Sequence, residues 1–107
     1  MADKSDKDAA YDVAERLTTA VQRLATGGGS INQRLLDAAD SLLPLHSSDF
    51  RGKLEGDFVA LMKDLTEGEG TLAAKLSLMA PDAARRLAER IWDLFADVQE
   101  SQGRPMV

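Results

Sequence analysis

Apolar residues recur three or four positions apart in four separate stretches of this chain of 107 residues. That spacing places them along one side of an α-helix, where they can face a common core. β-branched residues are few and no stretch alternates apolar with polar residues, so strands are not expected. The four stripes are Ala10, Val13, Leu17, Ala20, Val21 and Leu24; then Ile31, Leu35, Ala38 and Leu42; then Phe50, Leu54, Phe58, Leu61 and Leu65; and finally Ala84, Leu87, Ala88, Ile91, Leu94, Phe95 and Val98.

Helix start and stop signals separate the first two stripes. Ser5, with Asp8 three residues later, predicts a cap for the first helix. The glycines at 27–29 predict its end, because glycine readily takes the left-handed backbone angles that follow helix C-termini. Ser30 and Gln33 have the spacing of a capping box, in which each side chain satisfies a free amide at the start of the second helix.

Further breaks divide the second half of the chain. Pro44 ends the second helix, since the residue before a proline avoids helical angles, and the segment 66–70 ends the third. Residues 71–79 have room only for a short helix, and Pro81 suits the first position of the last one. We therefore predict one all-α domain over 1–107. It is an up-and-down bundle of four main helices plus one short connecting helix, with frayed ends at 1–8 and 102–107.

Composition narrows the cellular setting. The chain has no cysteine, which excludes disulfides and zinc–thiolate sites. Its charged N-terminus does not resemble a signal peptide, and no apolar run approaches the roughly 20 residues of a membrane-spanning helix. We therefore expect a cytoplasmic protein with no membrane partner. The net charge of −5 counts against non-specific nucleic-acid binding, although residues 71–107 hold five acids and five bases.

The sequence contains no set of residues typical of a catalytic site. The single histidine, His46, lies in a turn after a proline, where histidines are usually solvated. No serine lies in a Gly-x-Ser-x-Gly pattern. The acids around Gly68 and Gly70 lack the spacing of a calcium-binding loop. We expect a protein that is not an enzyme and that needs no cofactor, metal or small-molecule substrate.

Two glycines interrupt the third helix. Gly52 and Gly56 fall opposite the apolar stripe, and Val59 and Ala60 continue the same face. An interior glycine costs a helix about 1 kcal/mol relative to alanine, so a pair of them predicts that another helix packs closely there. The alternative is that Gly52 lies in the first turn and that Gly56 has no role.

Three larger apolar residues lie beside the core stripes. Leu36 and Leu43 flank the stripe of the second helix, and Trp92 lies at the shoulder of the last one. Half-buried tryptophans anchor many interfaces. Alternatively, the leucines pack under a neighbouring helix and the tryptophan closes the edge of the core. Together with the glycine face, these residues predict a non-enzymatic interaction or regulatory module that self-associates or binds a protein partner.

Leucines, small residues and two arginines follow one another in a distinctive order between residues 72 and 87. A first helix is followed by a four-residue turn, and a second helix presents Arg85 and Arg86. This order resembles the helix-turn-helix of bacterial transcription regulators. It departs from that pattern at Ser77, where glycine is usual, and at Met79, where a polar residue is usual. The resemblance implies an alternative function, that of a DNA-binding transcription regulator using residues 72–90.

Overall fold

A computed structural model describes residues 6–68 and 70–103, with side chains over 13–68 and 70–100. The helices are α1 (Asp6–Thr26), α2 (Ile31–Leu42), α3 (Lys53–Thr66), α4 (Leu72–Leu78) and α5 (Pro81–Gly103), and a single 3₁₀ turn (Ser47–Asp49) precedes α3. The described ranges contain no strand. The prediction of an all-α bundle with four main helices and one short connecting helix is confirmed.

Contacts between neighbouring helices establish their directions. Arg34 of α2 donates a hydrogen bond to the backbone carbonyl of Leu24, and Arg23 of α1 donates to that of Asp37, so α1 and α2 are antiparallel. Arg90 of α5 pairs with Asp64 near the end of α3.

The charge of Asp97, further along α5, acts on Lys53 at the start of α3. Residue numbers therefore rise along α3 as they fall along α5, which makes these two helices antiparallel. The Asn32 amide reaches the end of α4, and this contact brings the starts of α2 and α5 to the same end of the bundle. Successive main helices therefore run up, down, up and down.

The four predicted stripes meet in one core. Its largest fully buried side chains come from all five helices and are Leu17, Leu35, Leu42, Leu61, Leu65, Leu76 and Ile91. Leu45, in the connection after α2, is also buried, although it belongs to no stripe. The side chain of Ala10 lies outside the described part of the chain, as does the expected Ser5 cap.

The start of α3 differs from the prediction. Phe50 was expected within the third helix, but the helix begins three residues later and Phe50 follows the 3₁₀ turn. Its ring stacks on Phe58, with centroids 4.3 Å apart, so it still belongs to the core. Gly52 immediately precedes the helix, with φ of 57° and ψ of −133°. Gly52 is therefore not an interior helical glycine, and its backbone angles explain why glycine stands there.

Helix capping follows the sequence in part. The Ser30 hydroxyl accepts a hydrogen bond from the backbone amide of Gln33, at 3.2 Å. The side chain of Gln33 does not complete the capping box, because it donates to Asp37 one helical turn further on. Thr71 caps α4 by accepting from the amide of Ala74, at 3.0 Å.

The chain ends are helical as far as the structure describes them. Helix α1 includes residues 6–8 and α5 includes 102–103. The rest of the predicted frayed ends, 1–5 and 104–107, lies outside the described residues. No helix within the described ranges is long and apolar enough to cross a membrane.

We expect Gly52→Ala to lower the free energy of unfolding by roughly 1–3 kcal/mol, because an L-residue is strained at the positive φ that Gly52 adopts. Urea denaturation followed by circular dichroism measures the change. Gly28→Ala is the control, since Gly28 has no positive φ and no atom within 4 Å of an added Cβ. Equal stability of Gly52→Ala and the parent protein would contradict this account of the turn.

We expect Leu61→Ala to lower the free energy of unfolding by roughly 2–5 kcal/mol, because the side chain is only 1% exposed and its loss leaves a cavity in the core. The matched control is Leu78→Ala, since Leu78 is 86% exposed and a change there should stay within about 0.5 kcal/mol. Thermal and urea unfolding of both variants compare the two sites. Similar losses at both positions would contradict the assigned core.

Candidate functional site

The side of α3 that faces away from the core is exposed within the part of the chain that the structure describes. We call it the outer face of α3 and define it by Glu55, Gly56, Val59, Lys63 and Thr66, all of which are exposed. Val59 is 48% exposed, and no atom lies within 4 Å of the position that a Cβ on Gly56 would take. A second helix backbone therefore has open access to this face.

The predicted glycine surface is divided by the structure. Gly56 and Val59 lie on the outer face of α3, and Gly52 lies just before its first turn. Ala60 is also exposed, but it lines a groove between α3 and α5. The four residues thus border one another without forming a single flat surface.

Trp92 lies on a different side of the bundle. Its ring is 44% exposed and meets Phe95 edge-on, with centroids 6.0 Å apart. Two residues along a helix correspond to about 200° of rotation, so Trp92 points away from Arg90 and Leu94, which face α3. Val59 points away from α5 for the same reason, since Asp57 and Leu61 face it. The tryptophan and the outer face of α3 therefore belong to separate surfaces.

The two flanking leucines of α2 have different environments. Leu36 is partly buried and packs against the core, as one of the two sequence interpretations expected. Leu43 follows the last residue of α2 and is 45% exposed. Leu78, for which the sequence predicted no role, is more exposed than either. The helical spacing indicated this exposure, because Leu72, Leu76 and Met79 share one face of α4 and Leu78 lies on another.

A surface groove of about 400 Å³ lies between α3 and α5, beside the line along which they pack. Two leucines and two alanines contribute apolar surface, and five charged side chains line the rest. The Lys53 ammonium lies 3.1 Å from the Asp57 carboxylate, and this hydrogen bond raises the pKa of Lys53. Asp93 and Asp97 add two carboxylates from α5. The sequence does not reveal this groove, because its lining residues come from two helices that are far apart in the chain.

The Arg90 guanidinium, which lines the groove, forms an ion pair with the Asp64 carboxylate. The hydrogen bond from Arg90 holds the pKa of the Asp64 carboxyl below its usual range. A carboxyl with a lowered pKa contributes stability above its unfolded-state pKa and loses it as the pH falls through the folded value. The Arg90–Asp64 ion pair therefore contributes to the α3–α5 contact at neutral pH, and that contribution is lost in acid.

The histidine and the acidic residues are the candidates for a chemical site. His46 is exposed beside the 3₁₀ turn, where its backbone amide donates to the Asp49 carboxylate. Among the described side chains, no group of three or more histidine, cysteine, aspartate or glutamate residues is arranged to hold a metal ion.

The segment that resembles a helix-turn-helix forms two helices with a shorter break than expected. Only Met79 and Ala80 separate α4 from α5, instead of four residues, because α4 continues through Leu78. Arg85 and Arg86 are both exposed on α5. Arg85 pairs with Asp82 of the same helix, at 3.0 Å. This segment therefore presents two exposed arginines, one of them beside a carboxylate.

Hydrogen bonds from two side chains hold α4 in place. Lys75 donates hydrogen bonds to the backbone carbonyls of Asp64 and Glu67 at the end of α3, at 2.6 and 2.7 Å. The Asn32 side chain donates to the carbonyls of Leu76 and Met79 at the end of α4, at 2.8 and 2.7 Å. Lys75 therefore has a structural contact within the bundle.

Comparison with known proteins adds no relationship to this geometry. No protein-family model matches the sequence, and neither the comparison with curated proteins nor that with solved structures gives a match.

Proposed function

We propose that this protein is a non-enzymatic, cytoplasmic interaction module that acts through its helix faces and self-associates. The observation that carries the proposal is the state of the outer face of α3. Val59 is about half exposed there, and the space above Gly56 is open. Burial of apolar surface is the main favourable term in protein association, and a glycine allows a second backbone to approach closely.

Exposed apolar residues elsewhere support the same class of function. Trp92 on α5 is nearly half exposed and is held edge-on by Phe95, so little side-chain entropy would be lost if a partner covered it. Tryptophan is enriched among the residues that dominate binding energy. Because Trp92 and Val59 lie on separate surfaces, one of them can bind a protein partner while the other contacts a second copy.

We expect Gly56→Ala to have opposite effects on folding and on association. At low concentration it should raise the free energy of unfolding by about 0.5–1 kcal/mol, since alanine favours a helix and the added methyl group has space. At high concentration it should weaken self-association, because the methyl group separates the two helices. Urea denaturation measures the first effect and sedimentation velocity the second.

Gln22→Ala provides the control, because Gln22 is an exposed helical residue of α1, which contributes to neither surface. It should leave association unchanged. A parent protein that stays monomeric at millimolar concentration, together with a Gly56→Ala variant that is only more stable, would refute the proposed self-association.

DNA binding is a second candidate function, favoured by the exposure of Arg85 and Arg86 at the start of α5. In this case, we expect gel shift at low salt to show saturable binding to genomic DNA fragments, which declines steeply as salt is added. Arg85→Ala with Arg86→Ala should abolish the shift, whereas Arg51→Ala outside this segment should preserve it. The absence of a shift at micromolar protein would exclude this function.

A further inference from the structure

The outer face of α3 carries opposite charges on either side of Val59. Glu55 lies in the first turn of the helix and Lys63 in the last, each four residues from Val59. With 3.6 residues per turn, these three positions form one stripe along the helix. Both charged side chains are exposed, and neither forms an ion pair with any residue over the described ranges.

This stripe is complementary to itself when the helix is reversed. If two copies of α3 pack antiparallel with Val59 at the centre, Glu55 of each copy faces Lys63 of the other. The same register places Gly56 of each copy opposite position 62 of the other, where Met62 is partly buried against the core of its own copy. A parallel arrangement would instead bring like charges together, which is unfavourable. The distribution of charge therefore selects the antiparallel arrangement.

We propose that the protein forms a two-fold homodimer in which the outer faces of α3 pack antiparallel around Val59, with two Glu55–Lys63 ion pairs. This inference rests on the self-association proposed above and specifies its surface and register. A two-fold axis through Val59 makes the contact isologous, so every interaction occurs twice. The open space at Gly56 lets the second backbone approach the helix.

The proposed contact between two copies of α3 is small. Helix α3 has 14 residues and is therefore about 21 Å long. A contact between two helices of this length buries less than about 1,200 Å² in total, which is typical of weak and transient association. The dimer should therefore be weak and reversible, and its population should rise with protein concentration up to the millimolar range.

A single cysteine tests the register directly, because the natural chain has none. Val59→Cys places one thiol of each copy beside the two-fold axis. A short bis-maleimide should therefore convert this variant to a covalent dimer at concentrations where the parent protein self-associates. Ala73→Cys is the control, because Ala73 is exposed on α4, away from the proposed contact, and should crosslink far less.

Charge reversal supplies an independent test. Glu55→Lys or Lys63→Glu alone should weaken the dimer roughly tenfold or more, because each substitution creates two like-charge contacts. The double variant Glu55→Lys/Lys63→Glu should restore the parent affinity, since opposite charges again face each other. Sedimentation velocity measures the affinity, and circular dichroism confirms that every variant is folded.

The outcomes separate this inference from the proposed function. Efficient Val59→Cys crosslinking with recovery in the double variant supports the α3 dimer. If the parent self-associates but neither the cysteine nor the charge variants respond, the α3 register is wrong and self-association stands. A parent that remains monomeric and a Val59→Cys variant that does not crosslink would overturn both.

Discussion

The apolar face of α5 is the surface on which the rest of the bundle depends. This helix has 23 residues and contacts α1, α2 and α3. Ile91 is fully buried near its middle, and Ala84 and Val98 are buried towards its two ends. Helices of 12–14 residues, the lengths of α2 and α3, are marginal in water by themselves. Their stability therefore comes from tertiary packing, of α3 against α5 and of α2 against both α1 and α5.

Packing against α5 also determines which surfaces remain available. Helix α3 uses its inward side for Phe58, Leu61 and Leu65, and it contributes both charged and apolar residues to the groove beside α5. The side opposite the core has no neighbour among the described residues, and it is the side that carries Gly56 and Val59. The outer face of α3 is therefore left exposed by the way in which the four main helices pack around one core.

The sequence predicts the number, type and inward faces of the helices because each stripe repeats with the helical period. It does not predict where α3 begins, since Phe50 has the spacing of the stripe and yet lies before the helix. The positive φ of Gly52 has no periodic signal. These are local backbone properties, whereas the stripes record only which residues avoid water.

Contacts between distant segments are the second class of feature that the sequence does not reveal. The pair between Asp64 and Arg90 joins residues 26 positions apart and links α3 to α5. Gln33 had the spacing of a capping residue, but Asp37 provided a competing partner one turn away. The spacing of Glu55, Val59 and Lys63 along one side of a helix follows from the sequence. That all three are exposed depends on which helices pack against α3, and the sequence does not give that arrangement.

The two hydrogen bonds from Asn32 have a consequence for local unfolding. They join the start of α2 to the end of α4 across 44 and 47 residues of chain. A seven-residue helix is not stable by itself, so α4 depends on these contacts and on those that Lys75 makes with the end of α3. The opening of α4 is therefore coupled to α2 and α3, and hydrogen exchange of its amides reports on those contacts rather than on α4 alone.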